Sequence, residues 1–237
     1  HYNFIKDDIR NEILITDLVK DHDIIVNFAA ESHVDRSIAN PKPFIETNIL
    51  GTFSLLEAIR KYDKFFVHVS TDEVYGDAEN QSSFTELSQI NTGNPYSATK
   101  AAADHLVASY HRTYGINCIT TRCTNNFGPY QFPEKLIPKM ILNIFNNMEL
   151  PIYAKGKNSR EWIHVDDHCE ALFRLYLTGK IGESYNVGTG INLRNIDLVK
   201  KILKICKKMK INVGNKTKIK FVKDRPGHDF RYALDSK

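Results

Sequence analysis

The chain has 237 residues, 42% of them hydrophobic and 25% charged. That balance excludes intrinsic disorder and leaves room for one or two domains at about 150 residues each. The 32 Lys and Arg against 28 Asp and Glu give +4, too small an excess for a dedicated nucleic-acid binder. No apolar run reaches the ~18 residues that span a bilayer, so no membrane role is expected.

Cys118, Cys123, Cys169 and Cys206 are scattered without CxxC spacing. This excludes a zinc ribbon and a disulfide framework and fits a reducing cytoplasm.

The predicted elements alternate. Asp23 to Ala30 is a short apolar run ending in small residues, the pattern of a strand buried on both faces. Pro43 to Arg60 carries Phe44, Ile45, Ile49, Phe53, Leu56 and Ile59 at helical spacing. Lys64 to Ser70 is a second buried strand, Tyr96 to Tyr114 an Ala-rich helix stopped by Gly115, and Ile116 to Arg122 a third strand. Strands separated by helices of this length predict a parallel sheet with right-handed crossovers. The second half is less regular. It predicts a helix over Pro138–Asn147, a strand at Ser184–Val187, an amphipathic helix over Ile196–Met209 and a strand at Lys218–Val222. The Lys-rich outer face of that last helix is an ordinary solvated surface.

Ligands of open α/β sheets bind beyond the carboxyl ends of the strands. The segments there are polar: Ala29-Ala30-Glu31-Ser32-His33-Val34-Asp35-Arg36, then Ser70-Thr71-Asp72-Glu73-Val74-Tyr75-Gly76, then Thr124-Asn125-Asn126-Phe127-Gly128-Pro129. Tyr96 and Lys100 stand at i and i+4, on one helix face. An ammonium beside a phenol favours the phenolate, which can then take a proton from an alcohol. Asp72 and Glu73 are adjacent carboxyl groups at a strand end, where one can donate a proton and the other accept one if their environments separate them; a turn or N-cap acid is the plainer alternative. His164 and His168, with Cys169 beside them, lack the Glu that a zincin places after its first His, and no metal is expected.

These motifs resemble the extended short-chain dehydrogenase/reductase family and, within it, the nucleoside-diphosphate-glucose 4,6-dehydratases of the dTDP-glucose type. The matching stretches are FAAESHVDRSI (28–38), HVSTDEVYG (68–76), PYSATKAAADHLV (95–107), TRCTNNFGPYQFPEKLIP (121–138) and DRPGHDFRYALD (224–235). The resemblance implies a Rossmann-like doubly wound α/β fold with a smaller substrate domain. The cofactor half would span 1–128 plus about 158–190, and the nucleotide-sugar half about 129–157 plus 191–237.

It also implies roles. Tyr96, assisted by Lys100, deprotonates the glucose 4-hydroxyl while NAD takes the C4 hydride, and Thr71 stabilises the 4-oxygen. Glu73 removes and returns the C5 proton, and Asp72 protonates the departing 6-hydroxyl. Asp8 and Ile9 would flank the adenine of NAD. Phe28, Ala29, Ala30, Ser32 and Thr47, together with Tyr96 and Lys100, would line the cofactor, and Asn126 would touch its nicotinamide end. Ser32 and Asn125 would meet the sugar, beside Thr71, Asp72 and Glu73. Lys135, Leu136, Pro151, Ile152, Tyr153, Arg160, Asn195, Arg225 and His228 would hold the nucleotide sugar, with the arginine forks suited to a diphosphate. Asn195 is equally placed to cap the 196–209 helix.

The family's Gly-rich βαβ opening would precede His1, so the chain is expected to be part of a longer protein. Tyr153-Ala154-Lys155-Gly156 departs from the Gly-Asp-Gly of relatives, and UDP-glucose stays open as a substrate beside dTDP-glucose. Two rival readings remain: a UDP-sugar 4-epimerase or related NAD enzyme, which has no use for Asp72 and Glu73, and a non-catalytic nucleotide-sugar-binding fragment. Relatives pair the helices matching 44–61 and 96–114 into a four-helix bundle, which implies a homodimer.

Overall fold

The computed structural model describes residues 2–79 and 83–237. Helix α1 (Glu12–Lys20) leads to strand β1 (Ile24–Asn27), then α2 (Val34–Ala39), a single turn α3 (Lys42–Phe44), a π-helical stretch Ile45–Gly51 and α4 (Thr52–Tyr62). Strand β2 (Phe65–Thr71) runs into a 3-10 turn, Asp72–Tyr75, and α5 (Pro95–Tyr114) delivers the chain to β3 (Cys118–Cys123). Next come β4 (Asn125–Phe127), α6 (Leu136–Phe145), β5 (Leu150–Tyr153), β6 (Ser159–His164) and α7 (Val165–Thr178). The chain closes with β7 (Ser184–Val187), β8 (Asn192–Arg194), α8 (Asn195–Lys208) and β9 (Ile219–Val222).

The main sheet has the order β1-β2-β3-β7, all parallel. Alternation along a strand sends successive side chains to opposite faces. Phe66 and Cys118 pack with Leu56, Ile59 and Val107 of α4 and α5, whereas Val67 and Ile119 pack with Leu172 of α7. Helices therefore cover both faces, the Rossmann-like arrangement expected. A second sheet, β4-β6-β8, joins its first pair in parallel and its second antiparallel. β5 and β9 form a parallel pair over a separate core in which Met140, Ile144, Leu150, Ile152, Val199 and Ile202 meet.

Helix α5 begins where local chemistry starts it. Asn94 accepts the Ser97 N–H at 3.0 Å and the Ser97 hydroxyl accepts the Asn94 N–H at 3.3 Å, a reciprocal cap followed by Pro95. Gly115 ends it at φ 72°, a left-handed conformation that glycine adopts without strain.

Three predicted elements shift. The single helix expected over Pro43–Arg60 is broken by the π-helical stretch. Buried Asn48 is the pin there: its amide donates to Glu31 O at 3.1 Å and Thr99 Oγ1 at 2.9 Å and accepts the Glu31 N–H at 2.9 Å. Helix α6 begins at Leu136, not Pro138, because the first helical amides have no partner within the helix and tolerate proline. Helix α8 begins at Asn195, so Arg194 is the cap and Asn195 is not.

Candidate active site

The carboxyl ends of β2, β3 and β4, the start of α5 and the outer edge of the β5–β9 unit enclose a cleft of about 550 Å³. That is the size of an ordinary ligand site. Ser32, Thr71, Asp72, Glu73, Asn125, Lys135, Leu136, Pro151, Ile152, Tyr153, Arg160, Asn195, Arg225 and His228 line it, as do Tyr96 and Asn126. Residues as far apart in sequence as Ser32 and His228 thus share one wall.

The 3-10 turn after β2 builds the floor. The Thr71 hydroxyl accepts the Glu73 N–H and donates to Asp72 Oδ1, each at 3.3 Å. Asp72 Oδ2 is buried without a partner and lines the cleft. Burial, and then the neighbouring Glu73 charge, push the Asp72 carboxyl well above its ordinary range, toward the neutral acid. Tyr96 is likewise pushed up by burial and by Glu73. This corrects the expectation that Lys100 lowers Tyr96: the Lys100 ammonium donates to Val69 O at 2.8 Å, and desolvation outweighs it.

Side chains that the sequence did not single out complete the site. The Tyr232 hydroxyl reaches Glu73 Oε2 at 3.2 Å and Asp229 Oδ2 at 2.6 Å. Its segment is threaded inward by the bridge Phe84–Leu234 and by the Tyr232 N–H donating to Ser159 O at 3.3 Å. The only sequence signal was membership of the 224–235 stretch. Asp35 accepts the Tyr153 hydroxyl at 2.7 Å and pairs with Arg225 Nη1 at 3.3 Å, so it sets both binding residues.

Arg160 lies under the Tyr232 ring, 4.2 Å from its centroid, and spends N–H groups on the carbonyls of Ser159, Asp229 and Phe230. Arg225 is freer: its Nε is buried without a partner. The Asn195 Oδ1 is also buried, unpartnered and in the cleft, which favours a ligand contact over a cap. The His228 ring donates from Nδ1 to Asp224 Oδ1 at 2.6 Å, and burial pulls its pKa down to about 4, so it is neutral at pH 7.

The remaining cofactor candidates lie outside the cleft. Phe28, Ala29 and Ala30 follow β1, with Phe28 59% exposed and the Ala29 N–H donating to Asn27 Oδ1 at 3.1 Å. Thr47 is half-buried in the π-helical stretch. Asp8 pairs with Arg10 at 2.9 Å, and the Ile9 side chain occupies the space where a Gly51 Cβ would stand. Lys100 is buried behind Tyr96. These residues fit a dinucleotide at its nicotinamide end: Asn126 Oδ1 is an orphaned buried acceptor at the cleft, and Lys100, with one acceptor, keeps two N–H donors. His164 caps α7 by accepting the Asp166 N–H at 3.3 Å.

Comparison with known proteins gives the lineage. The family model described as GDP-mannose 4,6 dehydratase matches residues 1–237. A dTDP-glucose 4,6-dehydratase of Xanthomonas campestris pv. campestris (strain B100) is 47% identical over 98% of this chain and 71% of its own length. A structure of DesIV, a dTDP-glucose 4,6-dehydratase from Streptomyces venezuelae with NAD and TYD bound, superimposes with a TM-score of 0.91 at 43% identity over 99% of this chain and 71% of its own. The UDP-glucuronic acid 4-epimerase of Bacillus cereus shares the fold at TM-score 0.90, but only 28% identity, over 99% of this chain and 73% of its own. Identity falls by a third between the dehydratase and epimerase structures while the fold is equally matched, and on that difference the chain belongs to the dTDP-glucose 4,6-dehydratase family of the extended short-chain dehydrogenases/reductases.

Proposed function

We propose that this chain, with NAD, dehydrates dTDP-glucose to the 4-keto-6-deoxy sugar nucleotide. One observation carries the reading: Asp72, held toward its neutral form, and Glu73 stand side by side on the floor that also presents Thr71 and Tyr96. A 4-epimerase needs the tyrosine and not the acid–base pair.

When bound, NAD supplies a hydride acceptor for C4, a donor for C6 and a fixed positive charge. That positive charge would oppose the burial that raises Tyr96 and favour its phenolate, which takes the proton of the 4-hydroxyl. Thr71 hydrogen-bonds the 4-oxygen as it becomes a carbonyl. That carbonyl acidifies C5, and Glu73 takes the C5 proton. Asp72 delivers its proton to the 6-oxygen, which departs as water. Glu73 then returns a proton to C5. Arg225, oriented by Asp35, supports a diphosphate contact through its free Nε, and Lys135 and Asn195 stand on the same wall.

The main sheet with its helices serves as the cofactor half, 1–128 plus about 158–190, and the α6, α8 and β5–β9 unit as the nucleotide-sugar half. The β4-β6-β8 sheet bridges them. A homodimer through α4 and α5 is part of the proposal, supported by their side-by-side packing and by Phe53, 38% exposed on α4. Four free cysteines support a reducing cytoplasm. No helix among the described residues is long and apolar enough to cross a membrane.

The deciding experiment offers dTDP-glucose and UDP-glucose together, with NAD, and follows loss of one water by mass spectrometry. Loss from dTDP-glucose is expected. Loss from neither sugar nucleotide, with NAD held, overturns the reading.

A further inference from the structure

Glu73 holds a proton for only part of the proposed cycle. It takes one from C5 and later gives one back. In between, C5 beside the 4-keto group stands ready to recapture it. With sugar in the cleft, Glu73 is shut off from water on that side. Among the described residues, Tyr232 is the one hydrogen-bond partner of the Glu73 carboxylate.

We infer that Tyr232 and Asp229 form a proton outlet for Glu73, passing the C5 proton away from the sugar and bringing one back. The inference rests on the proposed dehydration. The three groups stand in a row: Tyr232 Oη is 3.2 Å from Glu73 Oε2 and 2.6 Å from Asp229 Oδ2. A phenol has one proton to donate and lone pairs with which to accept. The shorter contact, to Asp229, holds the donated proton, and a lone pair faces Glu73. Once Glu73 carries the C5 proton, its O–H donates to Tyr232 Oη, and the row has a single polarity from Glu73 to Tyr232 to Asp229. The shift breaks the Glu73 O–H and Tyr232 O–H bonds and forms one O–H bond on Tyr232 and one on Asp229. Glu73 ends as carboxylate, Tyr232 as phenol and Asp229 as acid, and no atom enters or leaves.

The surroundings fit each member to its part. Tyr232 is 1% exposed. Burial, and then the Glu73 charge, push its phenol well above the ordinary range, so it passes one proton on as it takes the other and never stands as phenolate. Asp229 is half-buried and does not line the cleft, so solvent reaches it while sugar is bound. Burial raises its carboxyl above the ordinary range, which favours its accepting a proton from another carboxylic acid. The backbone holds it in place: the Asp229 carbonyl accepts Arg160 Nη2 at 2.9 Å and Asn158 Nδ2 at 3.3 Å. Gly93 leaves room for the carboxylate, because a Cβ there would stand 2.8 Å from Asp229 Oδ1. A proton moved to Asp229 cannot recombine with C5 before the 6-oxygen leaves, and one returns along the same three groups.

The test uses the complete enzyme with its NAD and dTDP-glucose carrying deuterium at C5, in ordinary water, quenched within the first turnover. Mass spectrometry reads the label left in the product. Wild-type enzyme is expected to lose most of it. Asp229→Asn still accepts the Tyr232 hydroxyl but cannot take up its proton, and Tyr232→Phe breaks the row. Each variant is expected to keep about fivefold more label than wild type. A merely structural defect slows turnover, lengthens the time for exchange and lowers retention, so retention reports the outlet. Loss from both variants as complete as from wild type overturns the outlet and means that Glu73 trades its proton with water in the cleft. Retention of the label by wild-type enzyme overturns it as well, with no variant needed. Absence of any dehydration by wild-type enzyme overturns the proposed function instead.

Discussion

The Tyr232 hydroxyl lies 3.2 Å from Glu73 Oε2, across 159 residues of sequence. A second carboxylate, Asp229, takes the shorter contact at 2.6 Å. One phenolic proton cannot serve both, and the shorter contact takes it. Tyr232 then presents a lone pair to Glu73, placed to accept a hydrogen bond from the proton that Glu73 takes from C5. Tyr232→Phe is expected to slow C5 proton loss about tenfold with little change in KM, and to cost about 1 kcal/mol of stability from the lost hydrogen bond. Stopped-flow single turnovers at several substrate concentrations check it. A rise in KM with an unchanged rate counts against this account.

Glu73 is the group assigned to C5. Glu73→Gln keeps the shape and removes the base. Run in D2O, the wild-type enzyme is expected to place deuterium at C5 of the product, and the variant to show no C5 exchange. Exchange at an unaltered rate takes Glu73 out of the mechanism.

Asp72 couples chemistry to stability. Burial raises its pKa above the usual value of 3.8, so between the two values the folded state holds a proton that the unfolded chain has released. Its contribution to stability is therefore full below pH ~3.9 and lost as pH rises through the folded value. Asp72→Asn is expected to abolish dehydration and yet raise the melting temperature at pH 8 by about 2–4 °C, roughly 1 kcal/mol in a chain this long, with the gain vanishing near pH 4. Calorimetry at the two pH values measures this directly. A gain of equal size at pH 4 contradicts the linkage.

Arg225 and Asp35 act as a unit on the nucleotide side. Arg225→Lys loses the planar fork and is expected to weaken dTDP binding about tenfold; Asp35→Asn, which loosens Arg225 and Tyr153 together, about as much. Titration calorimetry with dTDP compares them. If the two losses add fully in the double variant, the residues do not act through each other.

Much of this was legible in the sequence. The ends of β2 and β3 could be found because buried parallel strands read as short apolar runs, and β7 was bounded to the residue, whereas β1, expected to be buried on both faces, stands at the end of the sheet order with Ile24 and Val26 exposed. The floor of the site followed from strand-end position alone. Three things were not legible. Tyr232 and Asp35 reach the cleft only through long-range threading, which leaves no local pattern. The protonation of Tyr96 depends on how burial competes with Lys100, and spacing on a helix reports the neighbour without the solvent. Helix α7 was not predicted because its buried face is narrow, with His168 and Leu172 its buried residues.

The π-helical stretch Ile45–Gly51 has a consequence for how this chain can change. A π-turn amounts to one residue inserted into an α-helix. Removing a single residue from 45–51 would close it into continuous helix; because the wider π turn absorbs its extra residue, the flanking helices would keep their orientation and the positions inside the stretch would shift. Asn48 would then swing out of register with Glu31 and Thr99, its anchors on the β1 loop and on α5. A substitution scan across this stretch would find ordinary tolerance at most positions, whereas a scan of one-residue deletions would find a seam: shortening by one anywhere within it is equivalent to unfastening β1's loop from the tyrosine-bearing helix.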